Sequence, residues 1–446
     1  MKSFCLYITL PDDQIELSLT SDATDVDNIV LDLMMIFATK IDNQNHKLEL
    51  SYYPQNTQTL RENIALFCAR YKGHFPALNR LEHFLDSYPD GDYFFINTKP
   101  SSQNEQLQIL ASIETLNTNG CYEEVLQKYN DIFSSVMSEY TIFTYHGRKK
   151  RFYGEPNQAK RVCRFCHRDM SSGATFHQKC HTISESLGNK TIMTNEECDT
   201  CNNTLGNTIE QDFADSLLTE RCFFGIKGKN GVPPVEGVNF KMKNDPEGGL
   251  RVDFTASDTH NVKPEDIELH YTYEAAPQDN YRCLAKYVVG VMPSAYKQHF
   301  VNTGEWINGK HNVIALPKVA ILETHSLYRQ PSLIIYIRNK STKTLPFAVA
   351  ELRILNRIYS YIIPCCSEDD RDFVKQEDYD TFWNHFRHYT KVSGWKFYNM
   401  SDSNRQILDS KTRFIFDSYV EQLFDTQTPV SNQGAGEKNA CDKSDK

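Results

Sequence analysis

Apolar positions recur along this chain with two periods, and the dominant period changes by region. Near the N-terminus, "SFCLYITL" and "HKLELSYY" read as strands, while "DVDNIVLDLMMIFATKI" and "TLRENIALFCARY" place apolar residues at helical spacing. "DGDYFFINTK" opens on a turn and continues as a strand, and "NEQLQILASIETL" and "CYEEVLQKYNDIFSSVMSEY" are helical again. Beyond residue 222 strand-like runs dominate: "GLRVDFTA", "IELHYTY", "KVAILET", "SLIIYIRN" and "PFAVAEL". "NYRCLAKYVVGVMPSAYKQHF" predicts a helix with a proline-marked disturbance near its end, and "YDTFWNHFRHY" a short late helix.

These patterns predict an α+β, multidomain chain. The expected divisions are an N-terminal α/β or α+β domain at 1–145, a basic linker at 146–157, a small module at 158–221 and a larger α+β domain at 222–425. A tail at 426–446, "TQTPVSNQGAGEKNACDKSDK", has almost nothing to bury and is expected to be disordered. A length of 446 residues fits this, at roughly 100–200 residues per domain.

Charge and cysteine content sharpen the picture. A net charge of -10 argues against wholesale coating of nucleic acid but leaves room for a local basic groove. The longest apolar runs are too short or interrupted to span a bilayer, and the first residues turn acidic too early for a signal peptide. Thirteen cysteines without a framework-like spacing suggest reduced thiols, hence a cytoplasmic setting.

Four of those cysteines stand apart as two Cys-x-x-Cys pairs, Cys163 with Cys166 and Cys198 with Cys201. A two-residue gap lets both sulfurs of a pair turn onto one ion, and four thiolates suit a closed tetrahedral Zn²⁺ site. Four unrelated thiols are the plain alternative. The gap between the pairs holds 31 residues, His167 to Glu197, where simpler zinc ribbons have roughly 15–20. The extra length suffices for a β-hairpin: "ATFHQKCHTIS" as a first strand, with His181 near its end, then "SLGNK" as the turn. The second pair opens a helix, "NNTLGNTIEQDFADSLL", with Leu205, Ile209, Phe213 and Leu217 at helical spacing.

Cys-x-x-Cys, a histidine followed by "TISESLGNK", then "ECDTCNNTLG", together resemble the HNH nucleases that carry a four-cysteine zinc knuckle. The resemblance covers roughly 160–220. It implies a ββα-metal finger between the two larger regions, structural Zn²⁺ on the four cysteines, and a catalytic Mg²⁺ or Mn²⁺. It implies His181 as general base, Asn195 as a displaced orienting residue, and Asn202 as a ligand of the catalytic ion. It further implies a metal-dependent endonuclease acting on nucleic acid, with DNA ahead of RNA as substrate, in a bacterial defence or toxin setting.

The sequence departs from the family at Cys180, where many members place an Asp or Glu that binds metal, and at Ser184, where they place proline. Cysteine is a poor Mg²⁺ ligand. Glu185, Glu210 and Asp212 are candidate substitutes, although the last two also read as solvated helix residues. The alternative is a catalytically degenerate, zinc-stabilised nucleic-acid-binding or protein-interaction module, with the flanking domains meeting a protein partner. A histidine in such a module is also often purely structural.

Arg148, Lys149, Lys150, Arg151, Lys160, Arg161 and Arg164 cluster ahead of and within the module in an otherwise acidic chain, with Tyr145, Phe152 and Tyr153 interleaved. Such a cluster can neutralise phosphates and stack unpaired bases. A solvated linker accounts for the same charges.

Overall fold

The structure is a computed structural model that describes residues 2–413, apart from 12–13, 22, 43–46, 72–74, 76–77, 79–80, 83–84, 86–87, 147–149, 246–248, 255–267 and 340–342. The tail at 426–446, Arg148 and Lys149 therefore lie outside the described residues. The fold class is α+β, built from several small sheets.

The N-terminal region forms around a hairpin. β1 (Lys2–Thr9) and β2 (Gln14–Ser21) pair with Leu6 opposite Leu17 and Ile8 opposite Ile15. α1 (Ala23–Ile36) lays Val26, Ile29 and Leu33 on this core. β3 (Ala38–Asp42) and β4 (Lys47–Leu50) make a side ribbon. α2 (Gln58–Tyr71) contributes Leu60, Ile64 and Phe67, and β5 (Phe95–Asn97) closes the sheet by pairing Ile96 with Ile8. Each helix thus buries one stripe at i, i+3/i+4, i+7, as its apolar spacing requires.

α3 (Gln103–Thr118) starts at a capping box, Ser102 with Glu105, and ends at Asn119 in the left-handed conformation. α4 (Tyr122–Glu139) runs directly into β6 (Tyr140–Tyr145). The small module follows, with β7 (Arg151–Tyr153), β8 (Cys180–His181), β9 (Ile192–Thr194), α5 (Asp199–Gly206), α6 (Ile209–Asp215) and α7 (Leu218–Phe223).

Beyond it come the meander β10 (Val235–Glu236), β11 (Phe240–Asp245) and β12 (Gly249–Phe254), then β13 (Glu268–Ala275). α8 (Pro277–Val291) begins with proline in its first turn and ends before Pro293, where the chain tightens into a 3-10 turn, Ser294–Phe300, and then α9 (Val301–Ile307). The expected disturbance in this helix is that break.

The two strand-like runs expected at "KVAILET" and "SLIIYIRN" are one bent strand, β14 (Val319–Arg338), paired with β15 (Ala348–Ile362). Irregular register between Glu323 and Ser332 lets one strand change partner alignment without stopping. α10 (Gln376–His385), α11 (Arg387–Thr390), β16 (Lys396–Tyr398) and β17 (Gln406–Arg413) are the last elements of the described residues, with β16 on β14 and β17 on β13.

Two features position the module. β6, which precedes it, pairs with the second half of β14, Ile335 opposite Phe143, so one sheet draws strands from both sides of the module. α8 is buried on nearly every face, and its Tyr281 and Tyr287 share one apolar core with Phe165, Ile183, Ile192, Phe213, Ile335 and Ala350. The small module is therefore not a bead on a string. Its Leu205, Ile209, Phe213 and Leu217 are all buried in this shared core.

Candidate functional site

The two cysteine pairs form knuckles for local reasons. An isolated bridge joins Val162 to Asp169, the Cys163 amide donates to the Arg168 carbonyl at 2.9 Å, and His167 turns the chain at a φ of 60°. Cys198 caps α5, its sulfur accepting from the Cys201 amide at 3.5 Å, while the Cys198 amide donates to the Cys163 sulfur at 3.5 Å. All four sulfurs lie within 4.8 Å of one another, so they form a cluster of metal-binding dimension, compatible with structural zinc. Hydrogen bonding from Cys163 pulls the Cys166 thiol down to about 5, and Cys198 falls for the same reason, while Cys163 is pushed up. A divalent cation bound there would take the place of the protons these sulfurs otherwise share. A second layer supports them: Asn308 donates to the Phe165 carbonyl at 3.3 Å and toward the Cys201 sulfur at 3.9 Å, and the Arg168 guanidinium bonds Cys166. Gly304 lets α9 approach this closely, because a Cβ there would lie 2.6 Å from the Arg164 carbonyl.

Beside the cluster, buried charges tie the module to α8. Arg164 lies between Glu196, at 2.6 and 3.0 Å, and the Val289 and Met292 carbonyls, at 2.7 and 2.6 Å. Lys297 holds the other Glu196 oxygen at 2.6 Å. Arg164 thus has no face left for a phosphate, which corrects its assignment to nucleic-acid binding. Lys286, 1% exposed, bridges Glu197 at 3.1 Å and Glu210 at 2.5 Å. Glu210 and Asp212 are not solvated helix residues. The expected single helix breaks at Asn207–Thr208, and α6 turns both carboxylates inward, Asp212 onto Arg405 at 2.8 Å. Neither is free to replace the acid missing at position 180.

The hairpin is shorter than its sequence suggests. Only Cys180 and His181 form the first strand, paired to Thr194 and Met193, and β7 lies parallel on the other side of β9. Gly188, at a φ of 89°, ends the short turn Glu185–Leu187. Asn189 then braces the whole bend: it donates to the Ile183 and Ile192 carbonyls at 2.7 and 2.8 Å and accepts from the Thr191 and Ile192 amides at 3.0 and 2.9 Å. The sequence marked Asn189 only as a turn residue.

His181 is half-buried at the end of β8, its Nδ1 4.0 Å from Glu185. Burial pushes its pKa down and Lys150 and Lys190 add to that, against the opposing pull of Glu185. The neutral imidazole is therefore favoured near pH 7. Lys190, at 2.8 Å, holds Glu185 in its ionised form.

Cys180 is buried, with its sulfur toward the Glu197 carbonyl at 3.5 Å, and burial raises its pKa. Asn195 sits two residues past Met193, the residue facing His181, and its amide donates to the Tyr153 carbonyl at 2.8 Å. Asn202 donates to Gln178 at 2.5 Å. Among the described residues neither asparagine is bonded to His181.

Of the basic cluster, Lys150, Arg151 and Lys160 are exposed, as is Phe152, while Tyr153 packs edge-on against Tyr145 at 5.0 Å. Arg161 is partly spent on the Glu155 and Pro156 carbonyls, at 3.0 and 2.9 Å.

No family model matches the chain, and no curated protein or solved structure matches it.

Proposed function

We propose that this chain is a metal-dependent endonuclease of the HNH type, hydrolysing phosphodiester bonds in nucleic acid, DNA before RNA. One observation carries the reading. A neutral, half-buried imidazole, that of His181, stands at the end of a strand whose turn is braced internally and whose base is pinned by four clustered cysteines. Hydrolysis of a phosphodiester needs a water deprotonated near neutral pH, and a positioned neutral histidine is the side chain suited to accept that proton. Here rigidity comes from Asn189 and the cysteine knuckles, which fix the ring relative to the surface it faces.

The usual acid beside the histidine is absent, and Cys180, Glu210 and Asp212 are all committed inward. Glu185 is the ionised carboxylate that remains next to His181, and Asn202 offers a side-chain oxygen on α5. A divalent ion bound by such oxygens would supply positive charge against the phosphate. The four cysteines would hold zinc as a structural ion, without an open coordination position.

The inward turn of Cys180 favours a second reading, a zinc-stabilised nucleic-acid binder that has lost cleavage. Incubating the full chain with supercoiled plasmid, single-stranded DNA and RNA, in Mg²⁺, Mn²⁺ or EDTA, separates the two. Cleavage that requires added metal supports the nuclease; salt-sensitive binding without cleavage in either metal supports the binder.

A further inference from the structure

Positive charge gathers around His181 from segments that are far apart in sequence. β7 and β9 run parallel, with Arg151 level with Ile192, and β8 runs against them with His181 level with Met193. The starts of β7 and β9 and the end of β8 therefore lie at one end of the sheet. Lys150 immediately precedes β7, and Lys190 stands two residues before β9. The Arg151 amide donates to the Thr191 carbonyl at 2.7 Å, which holds these two approaches side by side.

A third cation comes from beyond the module. Gly228 and Gly231 exchange hydrogen bonds of 2.9 and 3.3 Å, so Lys229 rides on a two-residue turn. That turn is seated on the finger: a Cβ at Gly228 would lie 3.1 Å from the Ser186 Cα, and Arg221 donates to the Ser186 carbonyl at 2.8 Å. Ser186 follows Glu185, and Lys229 lies near enough to stabilise the Glu185 carboxylate, as Lys190 does. All three lysines are exposed. Lys190 is paired with Glu185, whereas Lys150 and Lys229 have no ion-pair partner among the described residues.

We infer that Lys150, Lys190 and Lys229 form one phosphate-gripping surface around His181, so that a nucleic-acid backbone crosses the starts of β7 and β9 and the Gly228–Gly231 turn. This rests on the nucleic-acid reading above and relocates its contact surface away from residues 160–164. Clustered ammonium groups neutralise backbone phosphates without reading sequence, and each contact adds to the salt dependence of binding.

The test uses the full chain carrying His181→Ala, without added Mg²⁺ or Mn²⁺, with a short fluorescein-labelled duplex DNA followed by anisotropy. Replacing Lys150, Lys190 and Lys229 together by Gln should weaken binding by about tenfold or more at low salt, and make the log–log salt slope shallower by about 2–3. Lys→Arg at the same three positions should restore both. Replacing Lys128, Lys310 and Lys391, exposed elsewhere on the molecule, should change neither. Unaltered affinity and slope in the Gln variant, against a parent that binds, would overturn the surface and leave the nuclease reading standing. A parent chain that binds no DNA, together with an unmodified chain that cuts none, would overturn both.

Discussion

The two ends of the three-stranded sheet in the small module are both rich in charge, yet they use it oppositely. At the cysteine end, Arg164, Glu196, Lys297, Glu197, Lys286 and Glu210 meet one another over 2.5–3.1 Å and leave little for solvent or a partner. At the His181 end, Lys150, Lys190 and Lys229 stand in solvent beside one carboxylate, Glu185. The same residue types do structural work where the chain folds back on itself and remain available where it does not. Position relative to α8, rather than local charge density in the sequence, decides which.

This contrast breaks most easily at the cysteines. Cys198→Ser, or prolonged chelation, should remove the metal and disrupt the shared core, because structural zinc can contribute on the order of 10 kcal/mol, comparable with the whole stability of a domain. Metal analysis together with thermal unfolding checks this. A wild-type melting temperature in a metal-free variant would contradict it.

The buried ion network comes next. Lys286→Met strands two buried carboxylates and should cost about 3–5 kcal/mol in urea unfolding, whereas Lys190→Gln, at the open end, should cost less than about 1 kcal/mol. Changing Glu197 and Glu210 to Gln alongside Lys286→Met should recover most of the loss, and failure to do so would mean that the residues do not act as a network.

Acid distinguishes the ends further. Burial opposes ionisation of Glu196, but Arg164 and Lys297 outweigh it and hold its pKa below the ordinary 4.5. Its contribution to stability is therefore complete above pH 4.5 and is lost as pH falls through the lower folded value. Glu196→Gln should flatten that part of the stability profile. The smallest effect concerns rate. With His181 held below 6.5, the acid limb of the cleavage profile should lie below pH 6.5. Because Glu185 raises that pKa and Lys190 lowers it, Glu185→Gln should move the limb down and Lys190→Gln should move it up. A limb that ignores both changes would exclude His181 as the titrating group.

What was legible beforehand follows the distance over which the physics acts. The two-residue spacing of the cysteine pairs favours local knuckles, and these cluster; Leu205, Ile209, Phe213 and Leu217 are all buried as their apolar spacing requires, although the helix expected to carry them breaks at Asn207–Thr208. Lys286 with Glu197, 89 residues apart, and Arg405 with Asp212, 193 apart, leave no local trace. Arg164 reads as one more cation in a basic run until α8 supplies two carbonyls for it. Lys229 carries no local signal until its turn seats on Ser186. The sequence predicts a longer hairpin than forms, because Asn189 closes the bend with side-chain bonds instead of further strand pairing.

The most direct test of the open end as a catalytic end is nicking of supercoiled plasmid by the wild-type chain and by His181→Ala, in Mg²⁺ or Mn²⁺ and in EDTA. The variant must first be shown to match the wild type in metal content and in its unfolding transition. The predicted result is metal-dependent nicking by the wild type that falls by about two orders of magnitude or more in the variant. Equal nicking by the two proteins, with folds intact, would contradict the assignment of His181.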